Sequence, residues 1–334
     1  MSTGAGGTAG RGVTVTGWGK SLPATEVTNA DIMTLFDTSD EWIVERSGIH
    51  SRRAATGPFV ADPPPLHPPD GVGTTGALAV EAGRVALQRA GLDGTDIDLL
   101  LLCTTSPDQS VPATSAGVAA ALGIRGGAMD LNAACAGFTY GMVTAAGLIG
   151  VGVERILLVG SETLTRITNW ADRTNAFLFG DGAGAVVLEA TPPPGALLGW
   201  DLGVDGSLVE ILYADLGSGM AMRGQEVFRR AVRATVESAT SSLERAKVGI
   251  DEIALFVPHQ ANIRIMEAVA DRLGLPRQRV ASVIGTTGNT SSASIPLALV
   301  DAIEAGRVAD GDLLLLAGFG AGMTWASAVL RWGR

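Results

Sequence analysis

The chain alternates short, nearly continuous apolar runs with longer Ala-rich stretches of helical period. The runs IDLLLLC (97–103), AMDLNAAC (128–135), RILLVGSE (155–162) and GAVVLEA (184–190) read as strands, with helices predicted near 75–90, from about Pro112 and after Cys135. The same order returns in IALFVPHQ (253–260), VASVIGTTGN (280–289), DLLLLAGFG (312–320) and WASAVLRW (325–332), with helices from Asn262 and up to Glu304. Ile97 and Ile253 lie 156 positions apart, and Ile156 and Leu313 lie 157 apart. Two offsets this close mark an internal repeat. Alternating strands and helices predict βαβ units, and the Val-, Ile- and Leu-rich runs predict sheets covered on both faces. The expected fold class is therefore α/β, in two related halves spanning 12–190 and 191–334.

Two segments break the pattern. Residues 1–11 are mostly Gly, Ser, Thr and Ala without period and are expected to form a flexible tail. Residues 57–73 contain Pro58, Pro63, Pro64, Pro65, Pro68 and Pro69, which forbid helix and central strand and predict a surface insertion in the first half.

Composition narrows the function classes. Charged residues make up 17% of the 334 positions and hydrophobic ones 46%, the reverse of a disordered chain; the 45 glycines follow no three-residue period, so collagen is excluded too. A net charge of −10 argues against nucleic-acid binding, which needs a basic footprint. Of the 24 basic residues only Lys20 and Lys247 are lysines. Coding bias accounts for that, and so does bidentate phosphate recognition at a few arginines. Two cysteines make no disulfide framework, no signal-like stretch opens the chain, and no apolar run approaches the roughly 20 residues of a membrane span. A cytoplasmic protein without membrane contact is expected.

The repeat places candidate chemistry at strand C-terminal ends, where α/β sheets gather ligands. Cys135 and Asn289 lie 154 positions apart, each expected to follow the second strand of its half and to precede a helix, and His259 ends the first strand of the second half. Cys103, inside an apolar run, reads as a packing residue. Cys135 is set among small residues in AACAGF (133–138), where the N-terminal dipole of the following helix is expected to lower the thiol pKa. His67 falls in the Pro-rich insertion and reads as surface; His50 beside Ser51, Arg52 and Arg53 reads as solvated or at a cofactor's edge. Taken singly, His259 suits a satisfied core histidine and Asn289 suits a turn or helix cap. A Cys, His and Asn set would also suit a papain-like hydrolase, whose local sequences look nothing like these.

The stretches TSDEWIVERSGI (38–49), NAACAGFTYG (132–141), FGDGAGAVVL (179–188), VPHQAN (257–262) and GNTSSAS (288–294) resemble the ketoacyl-ACP synthase III family of thiolase-fold condensing enzymes. The resemblance runs from about Val13 to Trp332, broken at the Pro-rich insertion and around Ala214 to Ala221. It implies a thiolase-like fold in a layered αβαβα arrangement, and a homodimer. It implies that Cys135 is acylated by a starter acyl-CoA, while His259 and Asn289 stabilise the enolate left when malonyl-ACP loses carbon dioxide. The backbone N–H groups of Cys135 and Ala321 would form the oxyanion hole. Coenzyme A would meet Trp42, Arg46, Arg173, Asn262 and Arg264; Val111, Phe177 and Leu178 would bound the acyl pocket. Arg229, Arg230 and Arg233 would dock the acidic acyl carrier protein, although a basic helix face is commonly just solvated. Acyl-CoA and malonyl-ACP are substrates in this scheme, and no bound cofactor or metal is expected.

The chain departs from familiar fatty-acid members at Val111, where these often carry an aromatic residue. That loop crosses the dimer interface in relatives, and a smaller side chain there points to a starter larger than acetyl, although Phe177 and Leu178 could fill the space, which leaves the chain length open. With the Pro-rich insertion and the scarcity of lysine, the smaller residue favours priming of a polyketide or specialised lipid over fatty-acid initiation. Two further readings stand beside condensation: transfer of an acyl group to an alcohol or amine on the same fold, and a non-catalytic partner subunit.

Overall fold

The computed structural model describes residues 10–55, 73–215 and 218–333. The flexible tail expected over 1–11 lies outside them except for Gly10 and Arg11, and the 57–73 insertion, with His67, lies outside them except for Gly73.

The chain opens with β1 (Gly12–Ser21), followed by a ribbon of β2 (Glu26–Thr28) and β3 (Ser51–Arg53) that encloses α1 (Asn29–Ile32) and α2 (Asp40–Ser47). Helix α3 (Thr75–Ala90) begins where the Thr74 side chain accepts from Ala77 N and stops at Gly91, whose φ of 71° only glycine adopts freely. Next come β4 (Leu99–Cys103), α4 (Thr114–Leu122), β5 (Gly127–Leu131), α5 (Gly137–Gly150), β6 (Arg155–Thr163) and β7 (Asp181–Thr191). Ala113 offers α4 no side-chain cap, and the Asp130 carboxylate of β5 supplies one by accepting from Thr114 N and Ser115 N. The second half contributes β8 (Leu197–Val204), a ribbon of β9 (Leu212–Tyr213) and β10 (Ala221–Met222), α6 (Gly224–Ala246), β11 (Ile253–Pro258), α7 (Ile263–Leu273), α8 (Ile284–Thr287), α9 (Ser294–Glu304), β12 (Leu313–Gly320) and β13 (Thr324–Arg331).

Two sheets carry the fold, in the orders β1-β7-β6-β4-β5 and β11-β12-β13-β8. In the first, β4 pairs in parallel with β5 and β6, and β7 is antiparallel to β6 and β1. In the second, β11 is parallel to β12, and β13 is antiparallel to β12 and β8. The second order repeats the first with one strand missing. The strand expected over 280–289 does not form. Only isolated parallel bridges remain among the described residues, Val280 to Phe256 and Asn289 to Phe179; between them Val283 N donates to Gln260 Oε1 and the chain turns into α8. The side chain of Gln260 takes the backbone group a ladder would have used, so Asn289 follows a short helix instead of a strand.

Helices α5 and α9 lie between the sheets: Phe138, Met142 and Ile149 from one and Ile295 and Leu299 from the other share a core with Leu101, Leu158, Val257 and Leu316. Helices α3 and α4 cover the outer face of the first sheet around Leu100, Leu157 and Val187. Helices α6 and α7 cover the second around Phe256, Leu315 and Val329. The result is a five-layer αβαβα sandwich. Close approach within it requires glycine at Gly160, where a Cβ would fall 2.5 Å from Ser292 O. Among the described residues no helix is long and apolar enough to cross a membrane.

Candidate active site

The open ends of β4, β6, β11 and β12 converge on a cavity of about 750 Å³ at the junction of the halves. Cys135, His259 and Asn289 all line it, as do Ala321, Trp42, Arg46, Phe177, Leu178, Asn262, Arg264 and Arg229.

Cys135 is half-buried in the tight turn 134–136 just ahead of α5, with Ala134 at φ 47°. Gly318 and Gly320 of β12 pack against this turn; a Cβ on Gly320 would stand 2.5 Å from Cys135 N. Burial pushes the thiol up to about 12, the Ser291 hydroxyl works against that rise, and the nearby Glu162 carboxylate adds to it. This corrects the expectation of a thiol lowered by the helix dipole. Desolvation around the sulfur dominates, with the Glu162 carboxylate adding to it.

His259 is 3% exposed and its ring packs edge-on to Phe319 at 5.4 Å. Burial pushes it down to about 3, so the imidazole is neutral. Its Nδ1 lies 2.6 Å from Ser294 Oγ, which also accepts from Gln260 N at 3.3 Å. Among the described hydrogen bonds Nδ1 is the one acceptor for the Ser294 proton, which leaves the ring proton on Nε2. A thiol beside a neutral imidazole is not the thiolate–imidazolium pair of a cysteine hydrolase.

Asn289 is 8% exposed, and its backbone bridges to the Leu178–Gly180 segment through Asn289 N to Leu178 O and Gly180 N to Asn289 O. Its Oδ1 accepts from Ser291 N at 2.9 Å, which makes the predicted turn and also aims the amide. The Nδ2 group has no protein partner among the described residues.

Around the mouth, the Arg46 guanidinium sits 4.5 Å from the centroid of the Trp42 ring, whose edge packs on Phe177. Asn262 lines the cavity, but both ends of its amide are engaged: Oδ1 caps α7 at Arg264 N and Nδ2 donates to Arg46 O. Arg173 does not line the cavity; it is exposed next to Thr174, which does. Val111 does not line it either and is 86% exposed, so within one chain it bounds no acyl pocket. Arg229 reaches the rim, whereas Arg230 and Arg233 lie exposed on α6 with Arg233 donating to Glu237 at 2.7 Å. His50 is exposed and lies off the cavity.

Two contributors escaped the sequence reading. Ser294 is one, hidden in a run of small polar residues. The other is Glu162, a fully buried carboxylate at the end of β6 that accepts from Ser106 Oγ at 2.6 Å, Ser106 N at 3.0 Å, Thr104 Oγ1 at 3.1 Å and Ser292 Oγ at 2.7 Å. It ties the loop after β4 to the loop carrying Asn289. An acid closing the apolar run RILLVGSE was its only sequence signal. Among the described residues no group of three His, Cys, Asp or Glu side chains is placed to hold a metal.

The sequence profile of 3-oxoacyl-[acyl-carrier-protein] synthase III matches residues 129–206, and that of its C-terminal part matches 243–332. The chain is 44% identical over 324 residues to beta-ketoacyl-[acyl-carrier-protein] synthase III 1 of Bacillus anthracis, covering 96% of this chain and 99% of that one. Its fold is similar to the crystal structure of 3-oxoacyl-[acyl-carrier-protein] synthase III from Aquifex aeolicus VF5, with a TM-score of 0.89 at 38% identity over 96% of this chain and 100% of that one. It is also similar to the priming β-ketosynthase of the R1128 polyketide biosynthetic pathway, with a TM-score of 0.88 at 36% identity over 97% of both chains.

Proposed function

The chain belongs to the 3-oxoacyl-[acyl-carrier-protein] synthase III family of condensing transferases, and from that premise we propose that it joins a starter acyl-CoA to malonyl-ACP through an acyl-Cys135 intermediate. In the first half-reaction Cys135 Sγ bonds to the acyl carbonyl carbon, the carbon–sulfur bond to coenzyme A breaks, and the thiol proton ends on the departing coenzyme. In the second, the malonyl carboxylate leaves as carbon dioxide and its bonding electrons form an enolate. Two neutral donors, His259 Nε2–H and Asn289 Nδ2–H, hold the enolate oxygen, and no strong base is needed because decarboxylation creates the carbanion. That carbon attacks the acyl-Cys; the backbone N–H groups of Cys135 and Ala321 hold the oxyanion, which collapses to expel the Cys135 thiolate and yields 3-oxoacyl-ACP.

The observation that carries this reading is the meeting of Cys135, a neutral His259 and an Asn289 amide with an uncommitted Nδ2 in one cavity. Trp42 with Arg46 and Arg264 at the mouth suits the adenine and phosphates of coenzyme A. Arg173 would join them only by a change of rotamer. Arg229, with Arg230 and Arg233 beside it, suits an acidic carrier.

A homodimer completes the proposal. Among the described residues the edge strand β5 has one side unpaired and turns Met129 outward at 40% exposure, and Val111, on the loop before α4, is exposed as well. Val111 would then close the partner's acyl pocket rather than its own. As a small residue it would leave room for a starter longer than acetyl, the use a polyketide or specialised lipid pathway makes of a priming synthase; acetyl as the preferred starter would instead mark fatty-acid initiation.

A panel of acyl-CoAs read by intact mass at Cys135, followed by carbon dioxide release from malonyl-ACP, tests the whole scheme. Cys135→Ala is expected to abolish loading, while His259→Ala and Asn289→Ala load but do not condense. Loading without carbon dioxide release would move the reading to acyl transfer onto an alcohol or amine, and loss of loading in all three variants would make His259 the activator of the thiol.

A further inference from the structure

Ser291 combines three features that the scheme above does not use. It is 2% exposed at the cavity wall; its φ is +46°, a region that residues other than glycine enter at a cost; and its Oγ makes no aligned hydrogen bond to any described protein atom. A buried hydroxyl without a partner is rare and calls for a cause. The turn 291–293 packs directly on the turn 134–136 that carries Cys135.

The neighbouring serines are committed. Ser292 Oγ donates toward Cys103 O and Glu162, and Ser294 Oγ serves His259 Nδ1. The Ser291 N–H is committed as well, to Asn289 Oδ1. Among these serines only the Ser291 hydroxyl proton is unspent; the adjacent Thr290 Oγ1 also lacks a partner but does not line the cavity. Of the groups packed around Cys135, Glu162 on β6 is the anion and opposes a thiolate, and His259 is neutral and assigned to the enolate.

We propose that Ser291 is a further catalytic residue, whose Oγ–H turns onto the Cys135 sulfur whenever that atom carries negative charge. This rests on the reading of Cys135 as the nucleophile. The need arises twice per turnover: as the thiol gives up its proton on loading, and as the thiolate is expelled when the new carbon–carbon bond forms. The left-handed backbone holds the hydroxyl within reach of the sulfur without letting it settle on a nearby carbonyl. In the resting protein it already pulls the thiol down against burial without being aligned into a bond.

The test uses two variants that share the loss of the hydroxyl but differ in backbone strain. Ser291→Ala keeps the unfavourable φ and Ser291→Gly relieves it. Iodoacetamide labelling of Cys135 across pH, located by mass, and the rate of acyl loading are measured for both. The expected result is that both profiles move to higher pH by about one unit and that loading slows about tenfold, with KM for malonyl-ACP unchanged. Wild-type labelling and loading in both variants would overturn the proposal. So would recovery in Ser291→Gly alone, which would assign the effect to the backbone. If wild-type protein labels at Cys135 but never acylates there, the nucleophile reading fails, and the labelling profiles still decide whether Ser291 faces the sulfur.

Discussion

Replacing Ser294 by Ala should separate the two half-reactions. Ser294 is fully buried at the start of α9 and holds two neighbours at once, His259 Nδ1 at 2.6 Å and Gln260 N at 3.3 Å. The substitution leaves one buried acceptor and one buried donor without partners. At about 1–3 kcal/mol for each orphan, stability should fall by roughly 2–6 kcal/mol, an amount a domain of this size registers but survives. The larger effect falls on chemistry. With no hydroxyl on Nδ1, the imidazole is free to carry its proton there, and a ring in that tautomer presents a lone pair instead of a donor to the enolate oxygen. At metal sites, loss of the outer partner that fixes a histidine's tautomer costs about 10- to 100-fold, and the same range is expected here, less than the roughly 100- to 1000-fold for deleting an oxyanion donor outright. The expected outcome is therefore normal acylation of Cys135 by intact mass, with kcat for carbon dioxide release from malonyl-ACP reduced about 10- to 100-fold and KM unchanged. Equal losses in loading and condensation would refute the reasoning, because they would mean that Ser294 supports the whole cavity and not the tautomer of His259. Unchanged condensation would refute it more directly.

Two further predictions address the same cavity. In Gly320→Ala, the added Cβ would stand 2.5 Å from Cys135 N and 2.7 Å from Ala134 Cβ, so the nucleophile's turn must shift; about 1–3 kcal/mol of stability and both half-reactions should be lost together, and wild-type rates would exclude Cys135 N–H from the oxyanion hole. The second concerns pH. His259 is held down to about 3 in the folded protein against about 6.5 unfolded, so between those values the unfolded chain binds the extra proton and stability is lost as pH falls. Urea titrations of wild type and His259→Ala should show their stability difference shrinking by up to about 1.4 kcal/mol per unit from pH 6 to 4, and a difference independent of pH would show that the histidine is not buried neutral. Asp181, pushed up to about 6 by burial, contributes in the opposite sense in that window but equally to both proteins, so the comparison cancels it.

The charge state of the site matters more than its inventory. A lowered thiol was the natural expectation for a cysteine ahead of a helix, but the thiol is pushed up and the histidine down, leaving both neutral at rest. Such a pair suits a reaction in which charge appears only transiently, first on sulfur and then on the enolate and acyl oxygens. Glu162 fits the same design from behind. As a buried anion satisfied by hydroxyls and N–H groups of the 104–106 and 292 loops, it braces the site while discouraging premature ionisation of the cysteine.

What the sequence determined by itself is local or periodic. Strand runs such as LLLLC and LLLLAGFG, the repeat offset near 156, and the small-residue strings around Cys135, His259 and Asn289 are written in contiguous residues, so each could be read without knowing what it would touch. Local pattern misleads where an apolar segment competes for partners: 280–289 carries strand-like residues, yet Gln260 captures its backbone and turns it into α8. Nor does spacing say where Val111 and Arg173 stand relative to the cavity of their own chain, which depends on loops. Only the tertiary structure decided that Ser294 sets the histidine proton, that Glu162 reaches Ser292 across 130 positions, and that Ser291 is left with an unspent hydroxyl beside the sulfur. Hydrogen-bond partners and desolvation come from chain segments brought together by folding, and no local pattern encodes them.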